Sequence, residues 1–371
     1  MKILIVTHYF KPHIGGIEIV AYNQAKELVK KGHEVTIVTS KLNREKAVEQ
    51  KEGIRIVRVT AWNLFEKKFD VPYPIFSPRL ISTINKEIKG NEIIHAHGAL
   101  YLGSFISSLF ARIYKKPFLV TEHVGFVKYK SSIINFVEKI AFSTIGKITL
   151  DRSQKVLVLN KNTKNFLESL THKPIAYLAN GVDTNLFKPA SAQAKILLRK
   201  KYNFPLNRKL VLFVGRFVQK KGVDLLIEAK TPEFDLVLVG QGNLPKNAEN
   251  TKGIFVLNSL PQENLAEIYQ ACDVFVLPSS SEGFPLSLQE AMASGLPIVS
   301  LEESITTKYD KKEFASFIQL SSFDIKETVS KLLNDNTLRR SMSTVARKVA
   351  VAEFSWTKHA TLFLGYTKEE I

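Results

Sequence analysis

The sequence predicts an α/β chain made of two Rossmann-like domains, each a doubly wound parallel sheet. Three observations carry this. Short, continuously apolar runs alternate with helical patterns, as strands covered on both faces do. The alternation breaks once, at residues 180–190, and then restarts. At 371 residues, the chain is longer than one ordinary core fills.

The first run is "KILIVT" (2–7). One Lys followed by apolar residues looks superficially like a secretion signal, but no small-residue cleavage site follows, so it reads as a buried strand. Residues 17–31 carry helical periodicity, with Gly32 where a helix would end. "HEVTIVT" (33–39), "IRIVRVT" (54–60) and "EIIHAHG" (92–98) are further strands, and a helix runs through "LGSFISSLFARIY". "PFLVTEH" (117–123), "KVLVLN" (155–160) and "PIAYLAN" (174–180) close the first half. "NGVDTNLFKPA" then supplies turn residues and a Pro, which places the linker and gives domains of 1–183 and 184–355. The second half continues with "KLVLFVG" (209–215), "DLVLVG" (235–240), "GIFVLNS" (253–259), "DVFVLPS" (273–279) and "LPIVSL" (296–301). A short helix with an aromatic start ends the chain, in "FSWTKHATLFLGYTKEEI" (354–371). Open α/β sheets bind ligands at the carboxyl ends of their strands, so the expected site is a cleft between the domains.

Composition fits a soluble globular protein, with 45% apolar and 23% charged residues. No apolar run reaches the roughly 18 residues that a membrane span needs. The single Cys272 excludes an internal disulfide and fits a reducing, cytoplasmic setting. The net charge of +17 is uneven: residues 1–180 hold 28 Lys/Arg against 14 Asp/Glu, and the rest hold 24 against 21. Either solubility explains this excess, or the first half faces an anionic partner such as a membrane surface or a phosphorylated acceptor. Nucleic acid is not expected, since no helix-turn-helix, zinc or aromatic RNA-binding signature is present.

"HIGGIE" lies between the first strand and first helix. Gly15 and Gly16 let a ligand approach the backbone, and the helix start behind them favours phosphate; an ordinary turn is the plain alternative. In "VGRFVQKKGVD" (214–224), Arg216 and Lys221 sit in and just after a loop before a helix. Two cations there can hold a diphosphate and neutralise it as it leaves. Lys220 reads as solvent-facing.

"SEGFPLSLQEAMASGLPIV" (281–299) follows a strand. Ser280 or Ser281 is the expected cap of a helix starting near Leu286, with the amides of Phe284 to Ser287 turned to the ligand. Glu282 precedes the helix, and Glu290 lies about a turn inside it. Decoration of a helix N-terminus suits Glu282 better than Glu290.

His95 and His97 share one strand face, and His97, beside Gly98 at the strand's end, is the better candidate to reach the cleft. His123 ends the next strand. Zinc would need further ligands of suitable geometry. No Asp-x-Asp occurs, so a metal-bridged diphosphate of that type has no support, and no metal or other cofactor is expected. Residues 126–147 carry Ile133, Phe136, Val137 and Ile140 among lysines. They form either a helix packed on its own domain or a basic amphipathic surface at lipid headgroups.

Taken together, "PHIGGIE", "HAHG", "NGVD", "GRFVQKKG", "VGQG" and "EGFPLSLQEAMASGLPIV" resemble family 4 of the retaining glycosyltransferases, over nearly the whole chain. The resemblance implies the GT-B fold, a C-terminal helix over 356–371 returning to the first domain, and domain closure over the substrates. It implies transfer from a nucleotide diphosphate sugar, UDP- or GDP-linked, to a saccharide or lipid-linked acceptor. Glu282 then resembles the glutamate at the donor sugar and Glu290 the one at the ribose hydroxyls. Arg216 and Lys221 look like the diphosphate pair, Gly15 and Gly16 the phosphate-approaching loop, and His97 the histidine near the sugar ring. Gly283, Phe284, Pro285, Leu286 and Ser287 would line phosphates and sugar, with Leu260 near the base. The chain departs from the family after "GLPIV", where "SLEESITTKYDKKEFASFIQL" lacks the usual glycines. A non-catalytic sugar-nucleotide-binding protein and a sugar-nucleotide epimerase are the alternatives.

Overall fold

The computed structural model describes residues 1–13, 15–69, 71–126, 131–245, 248, 251–279 and 284–368. The chain divides into two units, Met1–Asn180 with Trp356–Ile371, and Gly181–Ser355.

Among the described residues, the first unit holds β1 (Lys2–Val6), β2 (Glu34–Lys41), β3 (Val48–Lys51), β4 (Ile54–Trp62), β5 (Ile75–Phe76), β6 (Ile93–His97), β7 (Phe118–Glu122), β8 (Lys155–Val158) and β9 (Ile175–Tyr177). They form one sheet in the order β3-β4-β2-β1-β6-β7-β8-β9, with β5 also on β4. β3 and β5 run antiparallel to β4, and the other pairings are parallel. The alternating side chains of β1 enter two apolar layers. Leu4 and Val6 pack with Ile84 and Leu150, whereas Ile3 and Ile5 pack with Ala25, Ala360 and Phe363. The helix Trp356–Lys368 therefore completes the second layer, tied down by His359 Nδ1 donating to the Ala179 carbonyl at 2.7 Å.

The second unit holds β10 (Lys209–Val214), β11 (Phe234–Val239), β12 (Ile254–Leu257), β13 (Val274–Leu277), β14 (Ile298–Ser300) and β15 (Ala315–Phe317) among the described residues. All run parallel in the order β12-β11-β10-β13-β14-β15. β15 occupies the edge where the sequence lacks the family's glycines.

Each sheet reverses its winding once. In the first unit this happens between β1 and β6, in the second between β10 and β13. In open α/β sheets, the carboxyl ends of the strands at such a reversal are where ligands bind.

Two local expectations are corrected. The helix Leu286–Ala293 has Pro285 at its N-cap and no capping side chain, because Pro enters a first turn without costing a hydrogen bond. Ser280 and Ser281 lie outside the described residues. The helix Ser132–Ala141 has no fully buried side chain: Ile134 is half-buried, whereas much of the rest of its apolar face stays exposed. Ile133 is 76% and Phe136 64% exposed. No helix among the described residues is long and apolar enough to cross a membrane.

Candidate functional site

In the second unit, the loop after β10 and the segment after β13 are locked together. Ser279 Oγ donates to the Lys220 carbonyl at 3.1 Å. Gly222 has φ +67, and a Cβ there would lie 2.2 Å from the Pro278 carbonyl oxygen, so only glycine fits between the two segments. The short 3-10 turn Gln219–Lys221 is thereby fixed against Pro278 and Ser279, which follow β13. Arg216 is exposed, and Lys220 and Lys221 are half-buried.

Glu282 and Gly283 lie outside the described residues. Phe284 is not a lining side chain: it is 1% exposed and packs edge-on against Phe354 at 4.8 Å. What it can offer a ligand is backbone. Pro285, Leu286 and Ser287 are half-buried at the helix start. The amides of Leu286 and Ser287 fall in the first turn, where intrahelical acceptors are lacking, because the first turn's bonds run from Leu288 and Gln289 to the Pro285 carbonyl. Leu260 is half-buried in the loop after β12.

Glu290 is buried one turn into this helix. Its Oε2 accepts from the Tyr269 hydroxyl at 3.0 Å, and that hydroxyl also lies 3.0 Å from the Ser287 carbonyl oxygen. Burial pushes the Glu290 carboxyl up to about 7, against the lowering effect of the Tyr269 bond. Tyr269 escaped the sequence reading, since its helix Gln262–Ala271 gives no sign of which side chain it faces.

In the first unit, Gly15 is the N-cap of the helix Gly16–Lys30 in an extended conformation. A Cβ on Gly15 would meet the Glu18 carboxylate at 2.4 Å, whereas one on Gly16 would meet nothing within 4 Å. Room for a ligand thus exists at Gly16. Glu18 holds His13 Nδ1 at 2.6 Å, and Glu66 holds His13 Nε2 at 3.1 Å. Burial opposes charge on His13, but the two carboxylates outweigh it and raise its pKa.

His97 does not open to solvent; it and His95 are 1% and 0% exposed. Burial, with the neighbouring histidines, pushes His97 well below the usual range, so the ring is neutral. Its Nδ1 lies 2.8 Å from His123 Nε2, and its Nε2 has no hydrogen-bond partner among the described residues. The parallel register pairs His97 with Thr121, which sets His123 two residues further on beside it. That register was the available signal for a pairing the sequence reading missed. Glu122 between them turns away and accepts from the Ala99 amide at 2.8 Å. No group of three or more His, Cys, Asp or Glu among the described residues could hold a metal ion.

Comparison with known proteins divides along the same line. Residues 14–186 match the family model described as Glycosyltransferase Family 4, and residues 194–349 match the one described as Glycosyl transferases group 1. A D-inositol 3-phosphate glycosyltransferase of Corynebacterium aurimucosum is 25% identical, over 94% of this chain and 89% of its own. A putative teichuronic acid biosynthesis glycosyltransferase, TuaC, of Bacillus subtilis is 24% identical, over 97% and 96%. Among solved structures, sucrose-phosphate synthase from Thermosynechococcus elongatus superposes with TM-score 0.80 at 22% identity, over 99% of this chain and 98% of its own. Anabaena HepE, solved in complex with UDP-glucose, superposes with TM-score 0.78 at 16% identity over the whole of both chains.

Proposed function

For this chain, which belongs to the family 4, group 1 glycosyltransferases and is an enzyme with the GT-B architecture, we propose retaining transfer of a sugar from a nucleotide diphosphate sugar to a saccharide or lipid-linked acceptor. The observation that carries the reading is the locked pair of segments at the second unit's winding reversal. The lock ties the loop that carries Arg216 and Lys221 to Pro278 and Ser279, the segment that leads in sequence to the helix of Glu290.

The division of labour follows from charge. Phosphates are anions, so they are assigned to Arg216, Lys221 and the first-turn amides of Leu286 and Ser287. Ribose and sugar hydroxyls donate hydrogen bonds, so they are assigned to the carboxylates of Glu290 and Glu282. Gly16, where a Cβ would meet nothing within 4 Å, is assigned to the donor phosphates, and Leu260 to the base. In the transfer step, the bond from the anomeric carbon to the β-phosphate oxygen breaks. The acceptor oxygen bonds to that carbon on the same face, and its proton passes to the departing phosphate. Arg216 and Lys221 stabilise the charge that develops there. They do so without a divalent ion, and EDTA is expected to leave turnover unchanged. His97, neutral and backed by His123, is assigned to the sugar ring.

The donor base is uridine or guanosine in this reading; UDP is favoured by the likeness to HepE, solved with UDP-glucose. A membrane-bound acceptor is favoured by the bare helix Ser132–Ala141, with Ile133, Phe136, Val137 and Ile140 exposed on a strongly basic half. The enzyme would then sit on the cytoplasmic face of a membrane, held by apolar contact and anionic headgroups.

The test is thermal denaturation against UDP-, GDP- and ADP-sugars, followed by product analysis with the donor that stabilises. A ligand specific to the folded state raises the midpoint. Failure of every nucleotide sugar to do so, for wild type and at millimolar concentration, would overturn the donor assignment. Release of an epimerised sugar without transfer would favour the epimerase alternative.

A further inference from the structure

His13 stands between two carboxylates from different helices. Its Nε2 lies 3.1 Å from Glu66 Oε2 in the helix Leu64–Phe69, and its Nδ1 lies 2.6 Å from Glu18 Oε1 in the helix Gly16–Lys30. The Tyr9 hydroxyl donates to Asn63 Oδ1, and Asn63 Nδ2 donates to the same Glu66 Oε2. That oxygen is thus an acceptor, and His13 Nε2 donates to it. The Tyr9 ring stacks on the imidazole at 4.1 Å and closes the circuit. With a hydrogen already on Nε2, the 2.6 Å contact needs a second proton between Nδ1 and Glu18, because two lone pairs at that distance repel. On either atom, that proton makes His13 and Glu18 neutral as a pair.

The place of Glu18 gives this neutrality its use. Glu18 is 3% exposed, and its carboxylate fills the space that a Cβ on Gly15 would need. It lies in the first turn of the helix that Gly15 caps, where a carboxylate favours the helix start. The same helix start, at Gly16, is the one assigned to the donor phosphates. A buried carboxylate left alone there would repel a diphosphate.

We propose that His13 is the counter-charge that lets the glycine loop accept an anionic donor: its imidazolium neutralises Glu18, while Glu66, Asn63 and Tyr9 hold the ring in place. The proposal rests on the donor-site reading above and adds a positioning residue to it. His13 acts on the phosphates through Glu18 and does not touch them.

The surroundings leave this duty to His13. Among the described residues, the ion pair of the Glu18 carboxylate is with His13. Lys11, two residues before it, has its Nζ over the Tyr22 ring at 3.5 Å. Arg58 donates to the Lys11 carbonyl at 2.8 Å and pairs with Glu49 at 2.9 Å. His8 is pushed well below its usual range, first by burial, and carries no charge. The Tyr9 phenol is raised, first by burial and then by Glu66, so it stays a donor. Burial works against a charged His13, but Glu18 and Glu66 outweigh it and keep the second proton on the ring.

The test is charge rescue. Donor binding is measured by isothermal titration at pH 7 with UDP-glucose, and with GDP-mannose and ADP-glucose in parallel. Thermal midpoints on the same preparations establish that each variant is folded. His13→Gln leaves Glu18 uncompensated and should weaken the dissociation constant about ten-fold. Adding Glu18→Gln removes the stranded charge and should bring it back to within about three-fold of wild type. A merely structural histidine predicts the opposite, a double variant as weak as the single one or weaker. Should His13→Gln fail to fold, the histidine nitrogen spectrum of the wild-type chain decides. One ring should hold both protons at pH 7.5, about a unit above the ordinary histidine value, and Glu18→Gln should lower its midpoint. A His13→Gln loss that Glu18→Gln does not restore, or the absence of such a ring, overturns this proposal alone. No binding of any of the three nucleotide sugars by wild type overturns the donor-site reading, and this proposal with it.

Discussion

His97 Nδ1 and His123 Nε2 lie 2.8 Å apart between stacked, buried rings. One nitrogen must donate and the other accept, so the pair holds one shared proton and no net charge. His8, His95 and His359 are buried and lowered with them, in every case chiefly by desolvation. His359 falls to about 4 and His123 to about 3.

The consequence is acid lability. Between pH 6.5 and 4.5 the unfolded chain protonates these five histidines and the folded chain does not. Glu122 and Glu290, raised to about 7, act in the opposite direction over the same window. Five less two leaves about three more protons on the unfolded state, each worth roughly 1.4 kcal/mol per pH unit. The unfolding midpoint should therefore drop steeply from pH 6.5 to 5. A midpoint that stays level over that interval contradicts the buried neutral cluster.

Neutralising the loop cations should act on chemistry. Arg216→Ala is expected to lower kcat/KM by about a hundred-fold, in the range of losing one donor to developing negative charge. Lys221→Ala should follow in the same direction. Both should leave the melting temperature within a degree or two. Unchanged transfer by both variants would remove the diphosphate role from this loop.

Glu282 and Phe284 stand two apart in sequence, and the proposed function assigns the donor sugar to the Glu282 side chain but not to that of Phe284. Phe284→Ala empties a packed position against Phe354 and should cost about 3–5 kcal/mol of stability. Glu282→Gln should leave stability nearly unchanged while transfer collapses. Chemical denaturation and initial rates on the same preparations separate the two effects, and the assignments fail if they come out exchanged.

Gly222→Ala tests the lock between the two loops. The positive φ alone costs about 1–3 kcal/mol for a residue with a Cβ, and the Pro278 carbonyl forbids the added atom. The expected result is a lower unfolding midpoint together with weakened donor binding. Weakened stability with donor affinity intact would show that the lock does not position the cation loop.

Ile133→Ser combined with Phe136→Ser addresses the exposed helix. Neither side chain is buried, so stability should change by no more than about 0.5 kcal/mol. Sedimentation with vesicles containing anionic phospholipid should fall sharply. Equal binding of variant and wild type would exclude this helix from membrane contact.

Twelve strands were legible because each is an apolar run, most of them buried, with β9 and β12 the partly exposed exceptions. "KILIVT" reads as a strand since both of its faces meet packed layers. β3, β5 and β15 were not legible: they are short edge strands, such as the exposed polar "VEQK" of β3, held by a partner rather than by their own pattern. Site residues followed the same rule. Arg216 and Glu290 stood out because charge in an apolar context is conspicuous. Tyr269 and His123 did not, because their roles come from contacts 21 and 26 residues away in sequence. Phe284, named for its backbone, has a side chain that belongs to the core, which the motif alone does not reveal.

The helix Trp356–Lys368 has a consequence for biosynthesis. Ala360 and Phe363 fill the layer beneath Ile3 and Ile5, yet they emerge from the ribosome after the entire second unit. The nascent first unit must wait with one side of its sheet uncovered, while residues 181–355 are translated and can fold. The unit begun first is thus finished last, and a stop codon at Trp356 should yield a chain whose second unit is sound and whose first is prey to chaperones and proteases.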